Sequence, residues 1–218
     1  NDKHTGFYIE CGASNGKGAS IALPFEKNCG WKGINIEPSP ILYKQLLKNR
    51  PNSFLNINIA LSSTNGKMDL YDIPTGNSSF DPMPQMIKLC KTYDRHYNNK
   101  VTVNVLTYDT LMEKESIANV DLLALDVEGH ELEVLKGMSN KNTLPKVLCV
   151  EYPHVSLRLD NGFDEFRDII INKGYVFDFI SQNNAYFSIN GLFPRRDSWI
   201  GETNTLWEWD DVNVKWIY

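Results

Sequence analysis

The stretch Phe7-Tyr8-Ile9-Glu10-Cys11-Gly12-Ala13-Ser14-Asn15-Gly16-Lys17-Gly18-Ala19-Ser20 decides the fold class. Its apolar start reads as a short buried strand, which runs straight into a glycine-rich turn. Such a turn lets a ligand come close to backbone N–H groups. Working outward, Gly18 to Asn28 carries Ile21, Leu23 and Phe25 and reads as a helix, with Pro24 in its interior. Gly33 to Glu37 reads as a second strand. Ser39 is a good N-cap with Pro40 at the first helical position, and Leu42, Leu46 and Leu47 supply the apolar face. Phe54 to Leu61 alternates Leu55, Ile57, Ile59 and Leu61, as a third strand does. Strand and helix alternating in this way point to a parallel, doubly wound sheet.

The rest of the chain continues the pattern. Asn65-Gly66 reads as a hairpin turn leading into a strand over Lys67 to Ile73. Pro74 to Pro84 reads as a loop long enough to act as a lid or substrate loop. Val101 to Val105 alternates as a strand, and Val120 to Val127 is apolar enough for a central strand covered on both faces. Gly129 to Gly137 is expected to be a helix with Leu132 and Leu135 inward. Val147 to Tyr152 is a further buried strand, Phe163 to Asn172 a helix, and Tyr175 to Ile180 and Ala185 to Ile189 a closing pair of strands. With no repeat or linker, residues 1–218 are expected to form a single domain.

Composition narrows the function classes. The net charge of −5 makes a broad phosphate-binding surface, and so a nucleic-acid partner, unexpected. No apolar run reaches the ~18 residues of a membrane span. The four cysteines, at 11, 29, 90 and 149, form no C-x-x-C and point to a reducing, cytoplasmic setting. The four histidines show no metal-ligand spacing. The chain starts at Asn1 without a methionine, so an upstream segment or targeting peptide remains an open expectation.

The glycine turn does not match the nucleotide-triphosphate loop, because Lys17 is followed by Gly18 rather than Ser or Thr. A dinucleotide pattern begins at Gly16-Lys17-Gly18 but fails where Ile21 occupies the third glycine position. Glu10 at the strand tip would repel a pyrophosphate and suits a ligand that is cationic there, such as the ammonium and sulfonium of S-adenosylmethionine. Glu37 ends the second strand, where this topology places an acid that accepts hydrogen bonds from a ribose diol. Glu10, Gly12, Gly16 and Glu37 together suggest an adenosyl cofactor.

A second constellation, Asp126-Val127-Glu128-Gly129-His130-Glu131, follows the most apolar strand. Asp126 and Glu128 should project from its carboxyl end, where open α/β sheets bind ligands. Glu151 and His154 end the next strand, so one rim would collect Asp126, Glu151 and His154. His154 is a candidate base near neutral pH. Glu131 reads as an ordinary first-turn acid favoured by the helix dipole, and His130 as an exposed residue. The carboxylates at 126, 128 and 151 would also permit a divalent cation, although no metal ligand is assigned.

The segments FYIECGASNGKGAS, GINIEPSP, NIALSS, VLTYDTLM, VDLLALDVEGHELEVLKGM and PKVLCVEY resemble, in order and spacing, the FkbM family of S-adenosylmethionine-dependent methyltransferases. They cover residues 7 to 152, and D-x-E-G-x-E-x-x-x-L-x-G, here Asp126 to Gly137, is the most family-specific piece. The resemblance implies a Rossmann-like class I methyltransferase fold: a mostly parallel seven-stranded sheet with one antiparallel strand and helices on both faces. It also implies O-methylation of hydroxyls on sugars or macrolide-type products, with S-adenosylhomocysteine left behind. Carried over, the turn with Glu10, Gly12, Ala13, Ser14, Asn15, Gly16 and Ser20 would hold the methionine part. Glu37 and Pro38 would lie at the ribose, and Asn58 and Ala60 near the adenine. Asp126 would face the methionine end and the acceptor, with Glu128 and His154 as further catalytic candidates. Glu10 stands where the family usually has aspartate, and Ser14 where it usually has asparagine.

The last third matches none of these motifs. Trp199, Trp207, Trp209, Trp216 and Tyr218 are expected to pack a final strand or a homodimer interface, with stacking on a sugar acceptor as the alternative. The acceptor expected is a carbohydrate or a glycosylated small molecule. The competing functions are a cofactor-binding scaffold without catalysis, N-methylation of an amino sugar, and a nicotinamide oxidoreductase of the same topology.

Overall fold

The computed structural model describes residues 5–18, 20–73, 78–80, 99–151, 162–181, 184–189 and 191. Strands β1 (Phe7–Cys11), β2 (Lys32–Ile36), β3 (Leu55–Ile57), β7 (Leu122–Leu125), β8 (Val147–Glu151), β9 (Tyr175–Ser181) and β10 (Asn184–Ile189) form one seven-stranded sheet in the order β3-β2-β1-β7-β8-β10-β9. The pairs from β3 to β8 are parallel, and β10 runs antiparallel to both β8 and β9. The order reverses beside β1, so the carboxyl ends of β2, β1, β7 and β8 face one crevice. Open sheets of this kind bind ligands there.

Alternation along β1 divides its side chains between two layers. Ile9 and Cys11 join the larger core with Leu123 and Leu125, covered by α3 (Tyr108–Lys114), α4 (Glu131–Lys136) and α5 (Gly162–Asn172). Tyr8 points the other way and packs with Leu122, Ala124, Cys149 and the region of α1 (Leu23–Cys29). The strands expected to be buried on both faces are: Leu122 to Leu125 lie between 0% and 5% exposed. Each of the three leucines of β7 contributes roughly 1.5–3 kcal/mol of burial. Cys11 and Cys149 are free and buried.

Several boundaries differ from the sequence expectation. The first helix begins at Leu23 rather than Gly18, with Pro24 in its first turn instead of its interior; there the missing N–H costs nothing. In α2 (Pro40–Asn49) the Ser39 hydroxyl accepts from the Leu42 N–H at 3.2 Å, and Leu42 and Leu46 are buried. Leu47, expected inward, is exposed, because it lies about 100° around the helix from Leu46. The expected third strand is split. Leu55–Ile57 stays in the main sheet, whereas β4 (Ala60–Leu61) leaves it to pair with β6 (Lys100–Leu106). Asn65-Gly66 is not a hairpin turn, since β6 lies between β4 and β5 (Gly66–Tyr71) in a second, three-stranded sheet. In α4, Leu132 is only partly buried, and Glu131 is buried in its place with Val134 and Leu135.

Candidate functional site

A 310 Å³ cavity opens at the carboxyl ends of β1, β2, β7 and β8, with the small sheet closing one side. Gly12 and Ser14 line it from the glycine turn, Glu37 and Pro38 from the end of β2, and Ala60 from β4. Asp126, Glu128 and Glu151 line it from the ends of β7 and β8. Thus seven of the residues singled out for catalysis or cofactor binding, Gly12, Ser14, Glu37, Pro38, Ala60, Asp126 and Glu128, are brought to one space.

The turn can close on β7 because Gly12 adopts φ 81° and has no side chain. A Cβ there would sit 1.7 Å from the Asp126 carbonyl oxygen. The Gly12 and Ala13 N–H groups both donate to the Ile36 carbonyl at 3.0 Å, which ties the turn to β2. Glu37 is 4% exposed, and each of its oxygens accepts one backbone N–H, from Ser14 at 2.7 Å and from Ser39 at 2.8 Å. Burial pushes its carboxyl up to about 7, opposed by those two donors and assisted by Asp72 and Asp126. Each carboxylate oxygen still has a lone pair for a ligand hydroxyl.

The remaining candidates among the described residues do not line the cavity. Asn58 donates from Nδ2 to the Glu37 and Pro38 carbonyls, at 2.7 and 2.9 Å, so it braces their turn from outside. Asn15 accepts from the Lys17 and Gly18 N–H groups through its side chain. Ala13 is buried and Gly16 packs on α2. Glu10, expected to meet a cationic ligand, accepts from the Ser20 hydroxyl and the Ala22 N–H and lies 3.6 Å from Arg50. The reason is parity: Glu10 shares the β1 face of Tyr8, away from Cys11 and the cavity. His154, Cys90, the C-terminal aromatics and most of the loop from Pro74 to Pro84 lie outside the described residues.

The turn after β7 is built with care. Glu128 adopts φ 53° and Gly129 φ 92°, a left-handed pair that is costly for a glutamate. Three contacts hold it. Glu131 is 1% exposed, and its Oε1 accepts the Val127 and Gly129 N–H groups at 3.2 Å. The Ser79 hydroxyl donates to the Glu128 carbonyl at 3.1 Å. His130 is partly buried, its Nε2 lying 2.9 Å from Ser62 Oγ and its ring 4.7 Å from that of Phe80. Glu131 and His130 are therefore structural and cavity-lining residues respectively, not a solvated first turn. Glu131 thus reaches back from the first helical residue to the N–H groups two and four positions before it.

Across the rim, Leu125 pairs with Val150, which sets Asp126 beside Glu151. Burial, the Asp126 charge and a hydrogen bond to Asp126 push the Glu151 carboxyl up to about 10. Proton retention on Glu151, beside Asp126, is thereby favoured. Among the described residues no group of three or more His, Cys, Asp or Glu side chains is arranged to hold a metal ion. Among the same residues no helix is long and apolar enough to cross a membrane.

A seven-stranded sheet of this order, with its one antiparallel strand next to the edge and its crevice at the switch point, is the Rossmann-like class I methyltransferase fold. The methyltransferase FkbM domain matches residues 10–177, and the chain belongs to that family of S-adenosylmethionine-dependent enzymes. It is 32% identical over 108 residues to the hexuronic acid methyltransferase AglP of Haloferax volcanii, which covers 48% of this chain and 40% of that protein. It is 31% identical over 172 residues to methyltransferase sdnD of Sordaria araneosa, covering 63% of this chain and 66% of that one. The chain therefore spans less than two thirds of either relative's length. The crystal structure of methyltransferase FkbM from Methylobacillus flagellatus KT shares the fold, with a TM-score of 0.53 at 17% identity over 84% of this chain and 43% of that one.

Proposed function

We propose that this chain transfers a methyl group from S-adenosylmethionine to a hydroxyl of a sugar, a glycan or a glycosylated small molecule. The observation that carries the reading is a single cavity with Glu37 on one flank and the Asp126–Glu151 pair on the other. They stand at the ends of β2, β7 and β8, so the site spans roughly three strand spacings of about 4.8 Å each. That suits an elongated ligand with a diol at one end and cationic groups at the other.

The residues present fit that cofactor. Glu37 would accept the ribose hydroxyls, with its carboxylate already oriented by the Ser14 and Ser39 N–H groups. Pro38, Ala60 and Leu61 would provide an apolar wall for the base. Asp126 and Glu128 would face the ammonium and sulfonium, in a cavity whose acids favour a cation. The bound cofactor supplies an electrophilic methyl group. The protein's own contribution is then alignment of the acceptor oxygen and removal of its proton. Asp126 and Glu128 stand on the cavity wall for that task, and His154 remains the candidate base from the next strand end. The sugar acceptor is supported by the likeness to a hexuronic acid methyltransferase.

Calorimetric titration with S-adenosylhomocysteine tests the cofactor half of the reading. Transfer of label from methyl-labelled S-adenosylmethionine to a panel of methyl hexosides, aminohexosides and hexuronides tests the acceptor half. Micromolar binding and label on a sugar oxygen are expected. A wild-type protein that binds neither S-adenosylmethionine nor its product would sink the proposal.

A further inference from the structure

We infer that Arg50 is a positioning residue for the cofactor, shaping the glycine turn from behind the cavity wall. This rests on the reading of the site as one for S-adenosylmethionine. The described residues of 12 to 22 form no helix or strand, yet Ser14 and Gly18 are part of the cavity lining. Something outside the turn must set its shape.

Arg50 is 1% exposed and stands at the end of α2, where its backbone is fixed on both sides. Its N–H donates to the Leu46 carbonyl at 2.8 Å, and its own carbonyl accepts from Asn56 Nδ2 at 2.8 Å. From that fixed root the guanidinium spreads in two directions. Nε and Nη2 grip both oxygens of Glu26, at 3.2 and 2.9 Å, and Nη2 also donates to the Tyr8 hydroxyl at 2.7 Å. Nη1 reaches the turn instead: the Ser20 hydroxyl at 3.1 Å, the Gly16 carbonyl at 3.4 Å and the Glu10 carboxylate at 3.6 Å. The neighbouring Asn49 donates from Nδ2 to the Asn15 carbonyl at 2.8 Å. The turn is pressed onto the helix as well, since a Cβ on Gly16 would lie 2.6 Å from Leu46 Cδ1 and 2.7 Å from Arg50 Cγ.

One planar fork thus joins Glu26 and Tyr8 to the middle of the turn, whose start is tied to Ile36 and Glu37 by backbone N–H groups. A lysine carries the same charge but has a single ammonium, which cannot satisfy the Glu26 carboxylate and the turn together. The same wiring accounts for Glu10. Its carboxyl is taken up by Ser20, the Ala22 N–H and the nearby Arg50 inside the protein, and it serves as an anchor for the turn and not as a ligand for the cofactor.

The test is calorimetric binding of S-adenosylhomocysteine alongside thermal unfolding, for the wild type and three variants. Arg50→Lys is expected to bind at least tenfold more weakly. Ser20→Ala, which removes one link from the fork to the turn, should bind about threefold more weakly. Tyr175→Phe deletes a buried hydrogen bond to the Pro145 carbonyl on the far edge of the sheet, and should lower the melting temperature while leaving affinity unchanged. If affinity instead tracks melting temperature across all three variants, the role is merely structural and the inference fails. It fails equally if Arg50→Lys binds within twofold of the wild type. Should Arg50→Lys not fold, Ser20→Ala decides: wild-type affinity there overturns the inference. No binding by the wild type overturns the methyltransferase reading as well, which separates the two failures.

Discussion

Glu10 and Glu37 lie at the ends of adjacent parallel strands, carry the same side chain and are each 4% exposed. Their surroundings nevertheless send them to different tasks. Glu10 lies behind the glycine turn with Ser20, the Ala22 N–H and the Arg50 guanidinium around it. Glu37 lies in front of the turn, lines the cavity and receives only backbone N–H groups from Ser14 and Ser39. A carboxyl already occupied by a hydroxyl, a backbone N–H and a nearby guanidinium has little left to offer a ligand. One held by two backbone donors keeps free lone pairs for whatever enters the cavity. The difference lies in where the chain turns after each acid and in what it meets there: Ser20, Ala22 and Arg50 for Glu10, two backbone N–H groups and the cavity for Glu37.

The comparison can be broken most forcefully behind the turn. Arg50→Met leaves the buried Glu10 and the partly buried Glu26 without their cation and is expected to destabilise the fold by about 3–5 kcal/mol. Urea unfolding would read this, and a loss under ~1 kcal/mol would mean that the network is incidental. On the cavity side the expected sign concerns pH. Glu37 and Glu131 are each raised from 4.5 to about 7, so the folded protein holds these protons more tightly than the unfolded chain. Their stabilising effect is complete below 4.5 and is lost as pH rises through 7, up to about 3 kcal/mol for each carboxyl. The melting temperature of the ligand-free protein should therefore fall between about pH 5 and pH 8, and Glu131→Gln should flatten the slope.

Smaller effects sharpen the contrast between the two acids. Glu37→Ala should weaken S-adenosylhomocysteine binding by ~1–3 kcal/mol, the cost of a lost hydrogen bond to a charged group. Glu10→Gln should change the same affinity by less than ~0.7 kcal/mol, about threefold, because glutamine still accepts from the Ala22 N–H. Equal losses for the two variants in calorimetry would erase the distinction between front and back.

Much of this was legible in the sequence, for identifiable reasons. Period-two and period-3.6 patterning located the strands of the main sheet and the Ser39-Pro40 start of α2. The apolar run before Asp126 marked a central strand, and hence the rim where Asp126, Glu128 and Glu151 gather. What stayed hidden depends on partners distant in sequence. The departure of Ala60–Leu61 into a second sheet requires β6, some forty residues on, and nothing local to Phe54–Leu61 signals it. His130 reads as exposed until Ser62 and Phe80, on the small sheet and the loop beyond it, are packed against it.

The sequence by itself determined the alternation of elements, the glycine turn, the acids available to the site and the family. Those are properties of residue type and spacing, which local chain stereochemistry converts directly into strands, turns and strand ends. Only the tertiary structure decided that Glu37 faces the cavity while Glu10 faces Arg50, and that Glu131 caps the Val127–Gly129 turn from inside. Those outcomes depend on which side chains meet across the sheet, because a buried charge must find its counter-charge or its hydrogen bonds wherever packing places them.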